Sequence, residues 1–301
     1  MNNTGTTTDA SAAGTWMLGD RSVNRIGLGA MRLTGDAAFD LGVPSDRDTS
    51  MRVLRRAIEL GVNHIDTASF YFSRLRSANE LINTALSPYP EDLVIATKVG
   101  PGRDPSGEWY SASPEQLRGQ VEENLRQLGR DHLDVVNLRR MSQPSIAEHF
   151  GALAELRDAG LIRHLGVSEV TAAQLAEAQA IAPVVCVQNR FNIDVRTHHQ
   201  VLGLCGEQGI AFVPYFAIAG AGRERGAVAG GVENEHILAI AAAHGATAAQ
   251  VRLAWTLQLG PHVLAIPGTG NPDHLEANVA AGALRLTGAE MDQLSALGQE
   301  Q

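Results

Sequence analysis

The chain is poor in cysteine. Among its 301 residues only Cys186 and Cys205 occur. Two thiols make no disulfide framework, and neither stands at a metal-ligand spacing. Cys186 lies in an apolar run and reads as a buried packing residue. The adjacent pair His198-His199 excludes itself as a metal motif: neighbouring helical residues face different ways, and no cysteine or carboxylate stands at a ligand spacing. No apolar stretch approaches membrane-spanning length. No basic segment followed by an apolar run opens the chain, so no leader is expected and a cytoplasmic location follows. Excess positive charge is also lacking. The net charge of −9 argues against a general nucleic-acid or membrane-surface binder. No Gly-x-Gly-x-x-Gly fingerprint sits in a strand-turn-helix unit, so a Rossmann domain is not supported.

What is present is ordinary globular composition, with 44% hydrophobic and 19% charged residues. Short apolar runs at 26–31, 62–66, 93–98, 133–138, 164–168, 184–188, 210–214 and 263–267 read as strands. Helical stretches lie between them, including 50–60, 114–128, 146–159, 172–181 and 200–207. In the first of these Met51, Leu54, Ala57 and Ile58 share one face. Ser113-x-x-Gln116, Thr171-x-x-Gln174, Thr247-x-x-Gln250 and Thr287-x-x-Glu290 are capping boxes that mark helix starts. The strands are continuously apolar, as parallel strands covered on both faces are. Eight strands alternating with helices predict an α/β fold, a (β/α)8 TIM barrel. An eight-stranded doubly wound sheet fits the same count. Length is neutral, since such barrels often run to roughly 250 residues in one domain. Residues 16–26 read as two short strands around a turn. Residues 1–14 are polar and small, and predict a disordered tail ahead of a single barrel domain over 15–301.

Four pieces far apart in sequence carry chemistry: Gly61-Val62-Asn63-His64-Ile65-Asp66-Thr67-Ala68 running on to Tyr71, Ala96-Thr97-Lys98-Val99, Leu133 through Arg139, and Gly166-Val167-Ser168. Their order and spacing resemble the aldo-keto reductase family, over about residues 16 to 297. The run Asp-Val-Val-Asn-Leu-Arg is similar to a bacterial branch that includes pyridoxal reductases. The resemblance implies nicotinamide-dependent carbonyl reduction on a barrel whose bottom is closed by the N-terminal β-hairpin.

In a barrel, function gathers at the C-terminal ends of the strands, where Asp66, Lys98 and Arg139 stand, with Tyr71 just beyond. Hydride addition to a carbonyl leaves an alkoxide that needs a proton. The tyrosine pKa of about 10 is high for that task, and a neighbouring ammonium lowers it. Tyr71 is therefore the expected general acid, tuned by Lys98, with Asp66 holding Lys98 charged. Taken singly, a strand-end Asp is as readily a cap and a strand-end Lys a solvated charge. Arg139 stands where the family usually has a catalytic His. A guanidinium cannot switch protonation state. It is open to three readings: stabilising the developing oxyanion and further lowering the Tyr71 pKa, binding an anionic substrate group, or turning away into a surface ion pair. Phe72 replaces the usual Gly after the tyrosine. Phe72, Trp109 and Tyr110, the last two in a Gly-rich loop over 100–110, are expected walls of the substrate pocket, with loop packing as the plain alternative for the latter pair.

The resemblance also implies the cofactor residues. Gly29, Ala30 and Met31 end the first strand run. Ser168 and Gln188 are implied partners of the nicotinamide carboxamide, and Tyr215, followed by Phe216, the aromatic that stacks on its ring. Glu169 replaces the usual Asn and cannot donate to the carboxamide oxygen; Asn189 is the candidate substitute. Phosphates are expected at the loop 217–231, with Gly220, Arg223 and Arg225, and at Pro267, Gly268 and Thr269, which lead into a helix with His274 and Asn278. Glycines allow close backbone approach and a helix N-terminus favours anions. NADPH is favoured over NADH, although the Lys and Arg common at the positions of Gly268 and His274 are lacking. No metal is expected. The expected partner is a small carbonyl substrate, with a monomer slightly favoured. A reductase of an imine or conjugated double bond is a second reading, and a nicotinamide-binding sensor with little turnover a third.

Overall fold

Capping and apolar spacing place the helices close to where the sequence sets them. The computed structural model describes residues 8–36, 41–218 and 233–297. Its strands are β1 (Thr15–Leu18), β2 (Arg21–Asn24), β3 (Leu28–Gly29), β4 (His64–Asp66), β5 (Val94–Val99), β6 (Pro101–Arg103), β7 (Trp109–Ser111), β8 (Leu133–Arg139), β9 (Ile162–Ser168), β10 (Val184–Gln188) and β11 (Ala211–Phe212). Its helices are α1 (Arg47–Glu59), α2 (Ala78–Leu86), α3 (Leu117–Leu128), α4 (Ala147–Asp158), α5 (Ala172–Gln179), α6 (His199–Gln208), α7 (Glu235–Ala243), α8 (Ala248–Gln258), α9 (Pro272–Ala280) and α10 (Gly288–Ala296). The boxes at Thr171, Thr247 and Thr287 cap α5, α8 and α10. At Ser113 the backbone N–H donates to the Gln116 side chain at 2.9 Å.

Seven strands form one parallel sheet in the order β11-β10-β9-β8-β5-β4-β3. The segment 263–268 closes it. Val263 bridges Phe212 on one edge, while Ala265 and Gly268 bridge Ile26 and Gly29 on the other. Both seams carry ladder bonds, Leu264 N–H to Phe212 O at 2.9 Å and Gly27 N–H to Ala265 O at 2.8 Å. The expected eighth strand is thus a row of bridges rather than a full strand. Pro267 has no N–H to donate, and glycine is a poor strand former. Gly29 is required by close approach, since a Cβ there would stand 2.7 Å from the Ile266 carbonyl oxygen.

Two cores follow from burial on both strand faces. The outer one joins sheet to helices and includes Ile65, Ile95, Val136, Phe191 and Trp255. The inner one fills the barrel with Val94, Val135, Cys186, Ala211 and Leu264, and takes in Leu18 and Val23 from the antiparallel pair β1–β2. The hairpin is therefore the floor at the N-terminal ends of the strands. The expectation of a tail over 1–14 is corrected for the described part. Residues Ala10–Ala13 form a 3-10 turn capped by Asp9, and Ala10 and Ala13 are buried. The Ala10 N–H donates to Leu60 O at 2.8 Å. Small side chains that look tail-like in composition are what allow this close packing. Among the described residues no single helix is long and apolar enough to cross a membrane.

Candidate active site

The strand ends converge as their sequence positions demand. Asp66 closes β4, Lys98 stands one residue from the end of β5, Arg139 closes β8, Ser168 closes β9 and Gln188 closes β10. All but Ser168 line a cavity of about 830 Å³ at the C-terminal face. Asp66, Tyr71, Lys98 and Arg139 all line it.

Lys98 and Asp66 are almost fully buried. The Lys98 ammonium meets Asp66 Oδ1 at 2.5 Å and donates to Thr67 O at 3.0 Å. It lies 4.9 Å from the centroid of the Tyr71 ring. The other carboxylate oxygen of Asp66 accepts from Gln188 Nε2 at 2.7 Å. Burial opposes the charge on Lys98, but Asp66 and Tyr71 together outweigh it and the lysine pKa lies above its ordinary value. For Tyr71 the balance runs the other way. Burial raises its pKa, Lys98 and Arg139 pull it down, and burial wins. The lowered tyrosine pKa expected from sequence is therefore corrected. Neighbouring charge was legible there, and desolvation was not.

Arg139 does not turn away to the surface. Its guanidinium faces the cavity, 5.2 Å from the centroid of the Tyr215 ring. It donates at 3.3 Å to Ser168 Oγ and at 3.4 Å to the Tyr215 hydroxyl, and stands 4.0 Å from Glu169 Oε1. Glu169 adopts a left-handed φ of 60° and Phe216 one of 61°. Such backbone costs free energy and is held by its surroundings. At Glu169 the holders are Arg140, donating to its carbonyl at 2.8 Å, and the Arg190 N–H, donating to its carboxylate at 2.8 Å. Asn189 does not take over the missing contact at Glu169. Its side chain is fully buried and spent on the Val170 backbone.

Most of the other predicted residues are also at the cavity: Gly29, Met31, Gln188, Tyr215, Phe216, Pro267, Gly268 and Trp109. Ala30 does not line it; it is buried, with its N–H on Asp66 O at 2.8 Å. Ser168 is fully buried beneath Arg139. Thr269 is buried beside the start of α9, accepting from the Asn271 N–H at 3.0 Å. His274 is exposed in the first turn of α9, and Asn278 is buried further along it. None of these last three reaches the cavity wall. Gly220, Arg223 and Arg225 lie outside the described residues.

Two pocket residues are misplaced by the sequence reading. Phe72 and Tyr110 line a neighbouring cleft with Arg103, not the central cavity. Extended backbone sends successive side chains to opposite sides. Tyr71 and Trp109 take the cavity side, so Phe72 and Tyr110 take the other. The loop that holds Trp109 and Tyr110 is itself a hairpin, β6–β7, in which Gly102 pairs with Tyr110. Sequence reasoning missed Phe70, Arg32 and Arg190, which line the cavity. Phe70 stacks edge-on between Tyr71 and Trp109, at 5.2 and 5.7 Å between ring centroids.

The cavity offers groups suited to a nicotinamide ring and its carboxamide. Gln188 Oε1 is buried without a hydrogen-bond partner, an acceptor suited to a carboxamide N–H. Gly29 and Gly268 approach so closely that a Cβ on Gly268 would stand 3.1 Å from Gly29 O, which leaves bare backbone at the wall. Among the described residues no group of three or more metal-binding side chains gathers.

Family comparison agrees with this geometry. The aldo/keto reductase family model matches residues 25–299. The chain belongs to the aldo/keto reductase family. This aldo/keto reductase is 42% identical over 297 residues to pyridoxine 4-dehydrogenase of Escherichia coli, covering 96% of this chain and 100% of that protein. It resembles the aldo-keto reductase of Klebsiella pneumoniae solved in complex with NADPH, with a TM-score of 0.76, 28% identity, and 92% of this chain and 91% of that one covered. A thermostable aldo-keto reductase in complex with the inhibitor epalrestat gives a TM-score of 0.77 at 30% identity, covering 94% and 99%. As a member of this family the aldo/keto reductase described here is an oxidoreductase.

Proposed function

We propose that this aldo/keto reductase reduces the carbonyl of an aldehyde or ketone with NADPH, and that its substrate is a polar aromatic aldehyde of the pyridoxal kind. The observation that carries the reading is the buried Lys98–Asp66 pair, 2.5 Å apart, set against the Tyr71 ring at the cavity. NADPH, when bound, supplies the hydride. Tyr71 donates its phenolic proton to the carbonyl oxygen as negative charge develops there. Lys98 stabilises the phenolate left behind, and Asp66 keeps Lys98 charged and fixed. Gln188, tied to Asp66 by one amide end, offers its free Oε1 to the carboxamide. Arg139 replaces a neutral donor by a fixed cation at the cavity wall, which stabilises an oxyanion in a low-dielectric site.

The preference for NADPH rests on Arg32, which lines the cavity with its Cγ 3.6 Å from the position a Gly268 Cβ would take. Its guanidinium, which donates to the Asp36 carbonyl at 2.7 Å, puts a cation on the side of the cavity where Gly268 stands in place of the expected Lys or Arg. The name of the 42% identical relative supports the pyridoxal-like substrate. The test is NADPH and NADH oxidation, followed by absorbance, against pyridoxal, aromatic aldehydes, ketones and cyclic imines, with Arg139→His alongside. Aldehyde turnover by wild type with NADPH preferred is the expected result. Turnover confined to imines, or gained only in Arg139→His, would overturn the assignment of Arg139.

A further inference from the structure

The roles above leave one cation of the cavity unused. Arg190 follows β10, and its side chain lines the cavity. Its Nε is buried without a hydrogen-bond partner. Its backbone N–H is engaged by Glu169, but among the described residues no ion pair joins its guanidinium to any carboxylate. A buried donor left without an acceptor costs free energy, and more when it is charged. Such an arrangement is completed by an acceptor that arrives from outside.

Among the described residues nothing at the cavity is available to supply one. The cavity wall, among the described residues, holds Arg32, Lys98, Arg139 and Arg190 against only Asp66 and Glu169. Asp66 is committed to Lys98 and Gln188. Glu169 accepts from the Arg190 backbone and faces Arg139, and its carbonyl holds Arg140. At the ends of β8, β9 and β10 the Glu169 carboxylate thus faces one guanidinium, that of Arg139 at 4.0 Å, and reaches Arg190 only through its backbone N–H. This local excess of positive charge stands in a chain of net charge −9. It also stands away from the glycine-lined wall. Arg32 and Gly268 flank the β3 seam, whereas β11 separates β10 from the segment 263–268.

We infer that Arg190 binds an oxyanion carried by the substrate, so that the preferred substrates are aldehydes or ketones bearing a carboxylate or phosphate. A guanidinium is suited to this because its planar fork matches both groups. The inference rests on the reductase reading above. It concerns the end of the substrate remote from the reacting carbonyl.

The test compares 4-formylbenzoate with its uncharged methyl ester, in wild type, Arg190→Met and Arg190→Lys. Wild type is expected to favour the acid in kcat/KM by about tenfold or more, mainly through KM. Arg190→Met should bring the acid-to-ester ratio close to one, and Arg190→Lys should keep an intermediate ratio. Pyridoxal 5′-phosphate against pyridoxal distinguishes a phosphate from a carboxylate preference in the same three proteins. An ester turned over as well as the acid by wild type would overturn the inference while leaving the reductase reading intact. So would a ratio unmoved by Arg190→Met, or a KM rise for NADPH in place of one for the acid. If wild type turned over neither aldehyde, the reductase reading would fall and this inference with it. Should Arg190→Met fold poorly, competitive inhibition of wild-type ester reduction by benzoate but not by benzamide gives the same answer, and equal inhibition by both contradicts it.

Discussion

The two ends of the barrel are built on opposite principles. At the N-terminal end, Leu18 and Val23 from the hairpin cap an apolar interior. Polar groups there are paired: Asn24 bonds both Asn63 and the Gly61 carbonyl, and Asp20 meets His164 and Arg163. At the C-terminal end Gln188 Oε1 and Arg190 Nε are buried without partners, and Glu169 and Phe216 hold left-handed backbone. Stability is concentrated at the floor and chemical readiness at the rim. Unsatisfied polar atoms and strained residues are retained where a ligand will use them. Two groups at the floor break the rule, since Trp16 Nε1 and both ring nitrogens of His64 are buried without a hydrogen-bond partner. His64 is fully buried, meets only the Asn24 backbone outside hydrogen-bond geometry, and burial pushes its pKa down to about 4.

Four changes sharpen the contrast. Lys98→Met should have the largest effect, since it strands Asp66 as a buried unpaired charge. We expect a loss of about 3–5 kcal/mol in urea unfolding together with near-complete loss of turnover. Both effects from one residue mark the rim as stable only through its pairings. Next is His64. Its folded pKa is depressed, so the unfolded chain takes up a proton first as pH falls below 6.5. Stability is then lost between about pH 6.5 and 4, by about 3 kcal/mol for this group. His64→Leu should remove that portion of the acid sensitivity, read as unfolding free energy at pH 7 and pH 4. If the variant kept the full pH dependence, burial of a neutral His64 would be wrong. Val23→Ala at the floor should cost about 2 kcal/mol by leaving a cavity among inner-core residues, with substrate KM unmoved. Asp20→Asn should matter least. Its carboxylate is half exposed, and solvent screening limits its pairings to less than about 1 kcal/mol.

Much of this contrast is legible in the sequence, for a definite reason. Strand ends and capping boxes are local patterns, so Asp66, Lys98, Arg139, Ser168 and Gln188 fall on the rim once the strands are counted. What local pattern does not carry is direction and burial. Phe72 and Tyr110 sit next to residues that do line the cavity, and the alternation of extended chain sends them elsewhere. Reading Tyr71 and Trp109 as inward would have identified the residue after each, Phe72 and Tyr110, as outward. Arg190 and Arg32 follow strands as any loop arginine does, and only closure of the barrel turns them to the cavity. Tyr71 shows the same limit in its chemistry. Lys98 was visible as its neighbour, but the cost of enclosing the phenol was not, and that cost decides the sign of its shift. The small residues at 10–14 read as a tail because composition reports little about fit. In the fold Ala13 packs so closely on Gly282 that a Cβ there would stand 2.9 Å from its own.

The central claim, that Tyr71 is the proton donor at a rim organised by Lys98 and Asp66, is tested most directly by pyridoxal reduction in wild type and Tyr71→Phe across pH. The account predicts a wild-type rate that holds through neutral pH and falls only in the alkaline range, because the phenol must remain protonated and its pKa lies above the ordinary value. It predicts that Tyr71→Phe lowers kcat by about a hundredfold or more, with NADPH binding retained. A Tyr71→Phe enzyme with wild-type kcat, or with an unchanged alkaline fall, would contradict it.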